Sequence, residues 1–414
     1  MSGQSDVRRT LETVIAAAVS AAMALAYLVI VGRTLGPAEY ADFSAALSVI
    51  YFFAIALTPV TPTLARVIAA MSVRGDIAGA ARLRSSTLRN AAVALAAVAI
   101  AGAAVATPIA RLLHFGTATT PLLAIVTASI FALLSVDRGA LQGLLLFRQY
   151  NLSIVIETGL RLVGALILVK AVRMSAPSAL VSYAAGVVVA EVAIAIVLSH
   201  TLPVASAARV DWQPLKTLAV PMFALMIAVA IFQNADMLAV KRWFAATPSG
   251  LYGAATALAK SFGVLFVPLY VLTGPILTRL YEARQPILRP ALVFCGWFLL
   301  LSAVPLAIVI LWPDVLVRVL YGPQFTASAP LIAPLGGVAI VTYCALLLVQ
   351  VLITAEAFAF LRIYAAGAVV MLGGLFLFHD SFAHVIIVLY VSQLIVLGGV
   401  ISALFRFNAS RPAV

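Results

Sequence analysis

The sequence predicts an all-α integral membrane protein of about twelve transmembrane helices, arranged as two six-helix lobes. Of its 414 residues, 64% are hydrophobic and only 10% are charged, and the mean hydropathy is +1.15. Soluble domains typically carry about 25% charged residues, so most of this surface must face something other than water. Apolar stretches of about 20 residues, enough to cross about 30 Å of hydrocarbon, recur along the chain. They lack the alternation of β-barrel strands, so they are predicted to be helices.

Twelve segments carry few or no charges and are long enough to be predicted as spanning helices. They are Val14–Val31, Phe43–Leu64, Asn90–Ala110, Pro121–Phe147, Asn151–Val169, Ala179–Leu198, Thr217–Val240, Leu251–Leu277, Pro290–Trp312, Thr326–Ala355, Ile363–Phe378 and Phe382–Phe405. We expect the first to be a spanning helix and not a cleaved signal peptide, because further segments of membrane length follow it. The connections are short, which leaves no room for a catalytic domain outside the membrane.

The basic residues between the segments predict the orientation. With a cytoplasmic N-terminus, sixteen Lys and Arg residues fall on the cytoplasmic side and seven on the outer side. Short cytoplasmic loops carry an excess of Lys and Arg, so both termini are predicted to be cytoplasmic. The same sorting explains the net charge of +12 as a signal for the anionic membrane surface, and no nucleic-acid partner is predicted.

Two pairs of similar sequences indicate an internal repeat. Residues Arg111–Ala124, after the third segment, share Arg, Leu, Gly, Thr-Ala and Pro-Leu-x-Ala in order with Arg318–Ala333, after the ninth. Residues 37–40 (Pro-Ala-Glu-Tyr) likewise match 248–252 (Pro-Ser-Gly-Leu-Tyr). Both matches are offset by six segments, an even number. This predicts a parallel repeat with lobes at residues 1–205 and 206–414, as in transporters with a mid-membrane site between two lobes.

Seven ionisable side chains fall inside the predicted helices and are the main candidate functional residues. They are Asp137, Arg138, Glu157, Arg161, Glu191, Asp236 and Lys260. A charge in hydrocarbon is costly and calls for a partner, water or a ligand. Arg161 and Lys260, one from each half, are predicted to lie about 15 Å into their helices, near the middle of the membrane.

The four charged residues of the fourth and fifth segments have structural and functional interpretations. Glu157 and Arg161 are four residues apart, so they form either a self-neutralised helix pair or an arginine that Glu157 orients toward a phosphate. Asp137 and Arg138 either cap a break in a long fourth helix or belong to a binding site.

The remaining intramembrane charges also leave alternatives open. Asp236 pairs with Lys260 across adjacent helices, or with Lys241 at the membrane edge, or serves a functional role. Glu191 has no partner that the sequence indicates, which makes it the best candidate for a protonatable coupling group.

No metal or organic cofactor is predicted. The two cysteines, Cys295 and Cys344, lie in apolar segments, and the four histidines are scattered singly. No group of His, Cys or carboxylate residues has the spacing of a metal site.

Residues Gly32–Phe43 (GRTLGPAEYADF) resemble the R-x-L-G-P-x-x-Y-G-x-F signature of Wzx-type bacterial polysaccharide flippases. Further matches are Arg138–Gly143 with Phe147, Asp236, Gly250–Ala255 and Tyr321–Phe325. The chain departs from the signature at Ala41, where the family has glycine.

The resemblance implies a two-lobed, non-enzymatic transporter of the multidrug/oligosaccharidyl-lipid/polysaccharide (MOP) exporter superfamily in the bacterial inner membrane. It would move a polyprenyl diphosphate-linked oligosaccharide to the outer leaflet by alternating access, for lipopolysaccharide or exopolysaccharide synthesis. Its partners would be that lipid-linked sugar, membrane lipids, and a polysaccharide polymerase or export machinery. The candidate substrate contacts are Arg33, Arg138, Arg161 and Lys260, and the candidate coupling or charge-partner groups are Asp137, Glu157, Glu191 and Asp236.

Two other functions compete with this one. A cation-coupled drug antiporter of the same fold would favour an acidic, aromatic cavity without buried arginine. A membrane glycan polymerase or ligase would need a large outer loop, and the predicted outer loops are short.

Overall fold

The computed structural model describes residues 2–171, 174–204 and 213–409, and no strand occurs in these ranges. The α-helices are α1 (Ser2–Ala56), α2 (Val60–Val73), α3 (Ile77–Leu112), α4 (Thr119–Gly143), α5 (Phe147–Ala171), α6 (Ala176–Thr201), α7 (Gln213–Trp243), α8 (Ala246–Lys260), α9 (Gly263–Glu282), α10 (Leu288–Leu311), α11 (Pro313–Leu320), α12 (Ala329–Thr354), α13 (Leu361–Leu377) and α14 (Phe382–Ala409). Short 3-10 helices at Pro323–Ser328 and Phe358–Phe360 precede α12 and α13. The predicted all-α membrane fold is confirmed.

Eleven stretches of the described helices are long and apolar enough to cross a membrane. The first, Glu12–Val73, has 62 residues, which span about 90 Å and suffice for two crossings. It is interrupted at Gly36, which has a non-helical backbone (φ 73°, ψ 169°) and precedes Pro37. Glycine tolerates this positive φ, and proline cannot donate a helical hydrogen bond. With this break, the described helices provide one span for each of the twelve predicted segments.

Two features of the spans recur at an offset of six. The second span is interrupted at Leu57–Pro59, between α1 and α2, and the eighth at Ser261–Phe262, between α8 and α9. The fourth and tenth spans, built on α4 and α12, have the largest buried shares among the described spans, 56% and 72%. A parallel repeat of six helices predicts this spacing.

The chain divides into two compact units, Met1–Ala230 and Ile231–Val414. In the first unit α4 packs against α1, α2, α3 and α6, and α1 packs against α5. In the second unit α12 packs against α8, α9, α10 and α14. Each unit is thus built around one central helix. The predicted lobe boundary at residues 205–206 lies outside the described residues, so those lobe limits stay a prediction.

Two helix ends differ from the predicted segments. α3 begins at Ile77, thirteen residues before the predicted start at Asn90, so Arg82–Arg89 are helical and not part of a loop. α4 ends at Gly143, and Phe147 begins α5. Polar residues extend helices beyond the apolar core of a span, which hydropathy alone does not reveal.

The basic residues that predict the orientation lie mostly near span ends. Arg74, for example, lies between α2 and α3, and Arg284 lies between α9 and α10. Arg173, Arg209 and Arg411 lie outside the described residues. The cytoplasmic position of both termini stays a prediction.

α5 and α6 approach each other closely at Gly186. A β-carbon there would overlap the backbone carbonyl oxygen of Glu157 and lie 3.2 Å from the amide nitrogen of Arg161. A β-carbon at Gly164 would lie 2.9 Å from that of Ser182. Small residues allow membrane helices to approach closely and gain van der Waals contact. The approach brings the charged residues of α5 against α6.

We expect Gly186→Ala to destabilise the purified protein by about 1–3 kcal/mol, because the added methyl group meets backbone atoms that cannot rotate away. The measurement is the melting temperature in detergent. Gly159→Ala on α5 is the matched control, because its β-carbon would meet only the Met23 sulfur at 3.7 Å, an ordinary contact. Equal melting temperatures for the two variants would contradict the close approach.

Candidate functional site

The first unit gathers charged side chains from three helices into one charge cluster. Its members are Arg84 of α3, Asp137 and Arg138 of α4, and Glu157 and Arg161 of α5. Asp137 is fully buried, and Glu157, Arg161 and Arg138 are only 4%, 5% and 9% exposed. Ions removed from water this far must be paired and hydrogen-bonded.

Asp137 is paired with Arg84. The Arg84 Nε donates to Oδ1 at 2.8 Å, and its Nη2 donates to Oδ2 at 2.6 Å. This bidentate contact is the strong form of an arginine–carboxylate pair. The predicted cap of a helix break by Asp137 and Arg138 is wrong, because α4 is continuous over Thr119–Gly143. Arg84 was missed because the sequence predicted a loop at its position.

Glu157 holds two arginines, one with each carboxylate oxygen. Its Oε2 accepts from Arg138 Nη2 at 2.9 Å, and its Oε1 accepts from Arg161 Nη2 at 3.0 Å. Arg138 Nε also donates to Ser153 Oγ at 3.1 Å. The predicted pair of Glu157 with Arg161 is therefore present, and the second arginine was not predicted. The sequence held no signal for it, since Arg138 lies on a different helix.

The guanidinium of Arg161 lies against tyrosine rings. Its central carbon is 4.2 Å from the ring centroid of Tyr183 and 5.8 Å from that of Tyr27. These distances are those of cation–π contacts. Among the described residues, the Nε of Arg161 has no hydrogen-bond partner.

Glu191 of α6 is half-buried and lies within electrostatic reach of the cluster. The charges of Asp137, Arg84 and Arg138 act on it. Its Oε2 has no hydrogen-bond partner in the described part of the chain. With Glu191 counted, the neighbourhood holds three guanidinium and three carboxyl groups. Its charges therefore balance when all of them are ionised.

The second unit contains a small cavity that Asp236 and Lys260 both line. Its volume is about 40 Å³, enough to hold water. The Oδ2 of Asp236 accepts a hydrogen bond from the Tyr252 hydroxyl at 2.9 Å. The Oδ1 of Asp236 and the hydroxyl of Thr256, also on the wall, are buried without a hydrogen-bond partner among the described residues.

The predicted ion pair between Asp236 and Lys260 is not formed. Both side chains face the cavity, and within the described ranges they make no contact shorter than the 4.0 Å limit of an ion pair. The Asp236 carboxylate instead accepts a hydrogen bond from the Tyr252 hydroxyl. The alternative partner, Lys241, is a buried residue near the end of α7.

Lys260 is the last residue of α8, where the eighth span breaks. The Tyr343 hydroxyl donates to the backbone carbonyl of Lys260 at 3.4 Å. A β-carbon at Gly263 would lie 2.6 Å from the same hydroxyl, so only glycine leaves space for Tyr343 there. A cation at a helix C-terminus is favourable because the last carbonyls carry partial negative charge. The predicted mid-helix position of Lys260 is therefore a helix end.

Arg33, the remaining candidate contact, is exposed on α1, three residues before the break at Gly36. The charge cluster is buried, so Arg33 is not part of it.

No protein-family model and no curated protein matches the sequence. Solved structures match nearly the whole chain. An inward-facing multidrug-resistance MATE family transporter of the MOP superfamily matches with a TM-score of 0.77 at 16% identity, over 94% of this chain and 95% of that one. Lipid II flippase MurJ in an inward closed conformation matches with a TM-score of 0.74 at 11% identity, over 95% and 87%.

A third structure is a MOP superfamily transporter from Pyrococcus furiosus Vc1, described as having a binding pocket of reverse polarity that suggests a different function. It matches with a TM-score of 0.65 at 15% identity, over 98% of this chain and 96% of that one. At these identities the likeness concerns the fold. This chain has the fold of the MOP superfamily transporters.

We expect Arg84→Gln to destabilise the protein by about 3–5 kcal/mol, because it leaves the buried carboxylate of Asp137 without its counter-charge. The double variant Arg84→Gln/Asp137→Asn should recover most of that loss, since neither charge remains. Melting temperatures of the two single variants and the double variant measure the coupling. Arg82→Gln is the control, because its contact with Asp76 is 3.7 Å long and partly exposed. Additive losses in the double variant would contradict the pair.

Proposed function

We propose that this chain is a Wzx-type flippase of the MOP superfamily. It moves a polyprenyl diphosphate-linked oligosaccharide from the cytoplasmic to the outer leaflet of the bacterial inner membrane by alternating access. It serves the synthesis of a surface polysaccharide, such as lipopolysaccharide or exopolysaccharide, and both its termini are cytoplasmic. A polysaccharide polymerase or export machinery receives the product.

The observation that carries this proposal is the ammonium group of Lys260. It lines the cavity of the second unit and makes no hydrogen bond or ion pair among the described residues. Asp236, on the same wall, already accepts the Tyr252 hydroxyl at 2.9 Å. Lys260 is half-buried within a membrane span. An anion such as the diphosphate of a lipid-linked sugar would stabilise an ammonium group at such a position. The cavity of about 40 Å³ is small, so the proposal requires it to widen when the transporter changes conformation.

The charge cluster of the first unit supplies further candidate contacts. Arg138 and Arg161 are held by Glu157, so a diphosphate must replace this carboxylate to contact them. The planar fork of a guanidinium suits phosphate oxygens as well as a carboxylate. Glu191, with one unpartnered carboxyl oxygen, is the best candidate for a coupling group.

The likeness to MurJ supports a flippase, because that protein is described as a lipid II flippase. The second candidate function is a cation-coupled drug antiporter, which the likeness to a multidrug-resistance MATE family transporter favours. Lys260, which has no ion pair among the described residues, argues against a cationic substrate in the cavity of the second unit, because like charges repel. A glycan polymerase or ligase lacks support, since the connections described between spans are short.

Export of a surface glycan in the source organism tests the proposal. Removal of the gene should abolish one glycan, and the intact gene should restore it. Lys260→Gln should lower export at least about tenfold, because a lost charged contact is worth more than about 1.4 kcal/mol. Lys170→Gln, at the exposed end of α5, is the matched control and should export normally.

Membrane levels of both variants are compared by immunoblot. Normal export by a well-expressed Lys260→Gln variant would contradict the role of Lys260. Unchanged glycans together with raised drug sensitivity after gene removal would favour the antiporter.

A further inference from the structure

The surroundings of Arg161 have the composition of a binding site for an organic cation. Tyr183 and Tyr27 present their rings at 4.2 and 5.8 Å from its guanidinium carbon, and Glu157 presents a carboxylate oxygen at 3.0 Å. Aromatic faces together with a carboxylate are the usual means by which proteins recognise guanidinium and ammonium ions. We call Tyr27, Tyr183 and Glu157 the cation cage.

The cage is held in place by contacts that do not involve Arg161. The Tyr27 hydroxyl donates to the Ala179 carbonyl at 2.7 Å. The second oxygen of Glu157 stays on Arg138 at 2.9 Å. The rings of Tyr27 and Tyr183 lie edge to face, with centroids 6.2 Å apart. These restraints keep the cage formed if the side chain of Arg161 is removed.

An organic cation in the emptied cage would restore the equal number of cationic and carboxyl groups around it. Glu157 stays neutralised by Arg138, and Asp137 stays neutralised by Arg84. Glu191, whose Oε2 has no hydrogen-bond partner among the described residues, adds a carboxyl group nearby. Without Arg161 the neighbourhood thus has one carboxyl group more than it has guanidinium groups.

We propose that Arg161 is a built-in cation that occupies a guanidinium-binding cage of the first unit, and that this occupancy excludes organic cations from the cage. The cage is filled by a group that cannot leave the chain, and its positive charge repels a second cation. The inference concerns the cage alone and holds whether or not the lipid-linked sugar is the substrate.

Purified full-length protein with Arg161→Ala tests this inference, with methylguanidinium as the probe. Methylguanidinium at low millimolar concentration should bind saturably in calorimetry and raise the melting temperature of the variant by at least about 2 °C. The unmodified protein should show neither effect, because its cage is full. Urea, a neutral molecule of similar shape, should have no effect on either protein.

A double variant assigns binding to the cage. Arg161→Ala/Tyr183→Leu removes the nearer ring and should lose at least about tenfold in affinity for methylguanidinium, given the strength of a desolvated cation–π contact. Absence of binding to folded Arg161→Ala, equal binding to the unmodified protein, or an equal response to urea would each overturn the proposal. Unchanged affinity in the double variant would overturn it as well.

If the Arg161→Ala variant is too unstable to purify, it is extracted from membranes in the presence of either methylguanidinium or urea. Recovery of monodisperse protein with methylguanidinium but not with urea supports the cage, and recovery with neither overturns it. Binding of this probe is independent of glycan export, so the outcome also separates this inference from the proposed function.

Discussion

Ionised side chains inside a membrane bundle need counter-charges, and in the first unit Glu157 meets that need for two arginines. Its oxygens hold Arg138 at 2.9 Å and Arg161 at 3.0 Å. Removing one partner of such a pair leaves a buried charge and costs about 3–5 kcal/mol. With Arg161 fixed by Glu157, its guanidinium meets the Tyr183 ring at 4.2 Å, and α6 comes as close to α5 as Gly186 allows. Glu157 therefore joins α4 to α5 and holds Arg161 against the tyrosine of α6.

Lys260, in the second unit, has different surroundings. Lys260 has no ion pair among the described residues and ends α8 at a break in the eighth span. The carbonyl groups of the helix end partly compensate its charge, and an anionic ligand would compensate the rest. The charge cluster of the first unit, with Glu191 counted, is balanced when all its groups are ionised, whereas Lys260 has no ion pair among the described residues. We propose that the first unit keeps organic cations out of its cage and that the second offers a contact to an anionic head group.

Much of the fold could be predicted from the sequence, because hydropathy and length alone define membrane spans. The six-span offset, first visible in short sequence matches, recurs in the broken second and eighth spans. The site was less predictable. Among the ion pairs of the charge cluster, only that of Glu157 with Arg161 joins two residues of the same helix. Arg84 and Asp137 are 53 residues apart in the sequence. Tyr183 lies in an apolar segment, where an aromatic residue is indistinguishable from core packing.

We propose that this protein carries an anionic, lipid-linked substrate, and translocation by the purified protein in liposomes tests that proposal most directly. One vesicle population contains a fluorescent polyprenyl diphosphate-linked oligosaccharide, and another is loaded with a fluorescent organic cation. The account predicts protein-dependent movement of the lipid-linked sugar between leaflets, reduced at least about tenfold by Lys260→Gln, and no protein-dependent flux of the cation. Flux of the cation without movement of the lipid would contradict it.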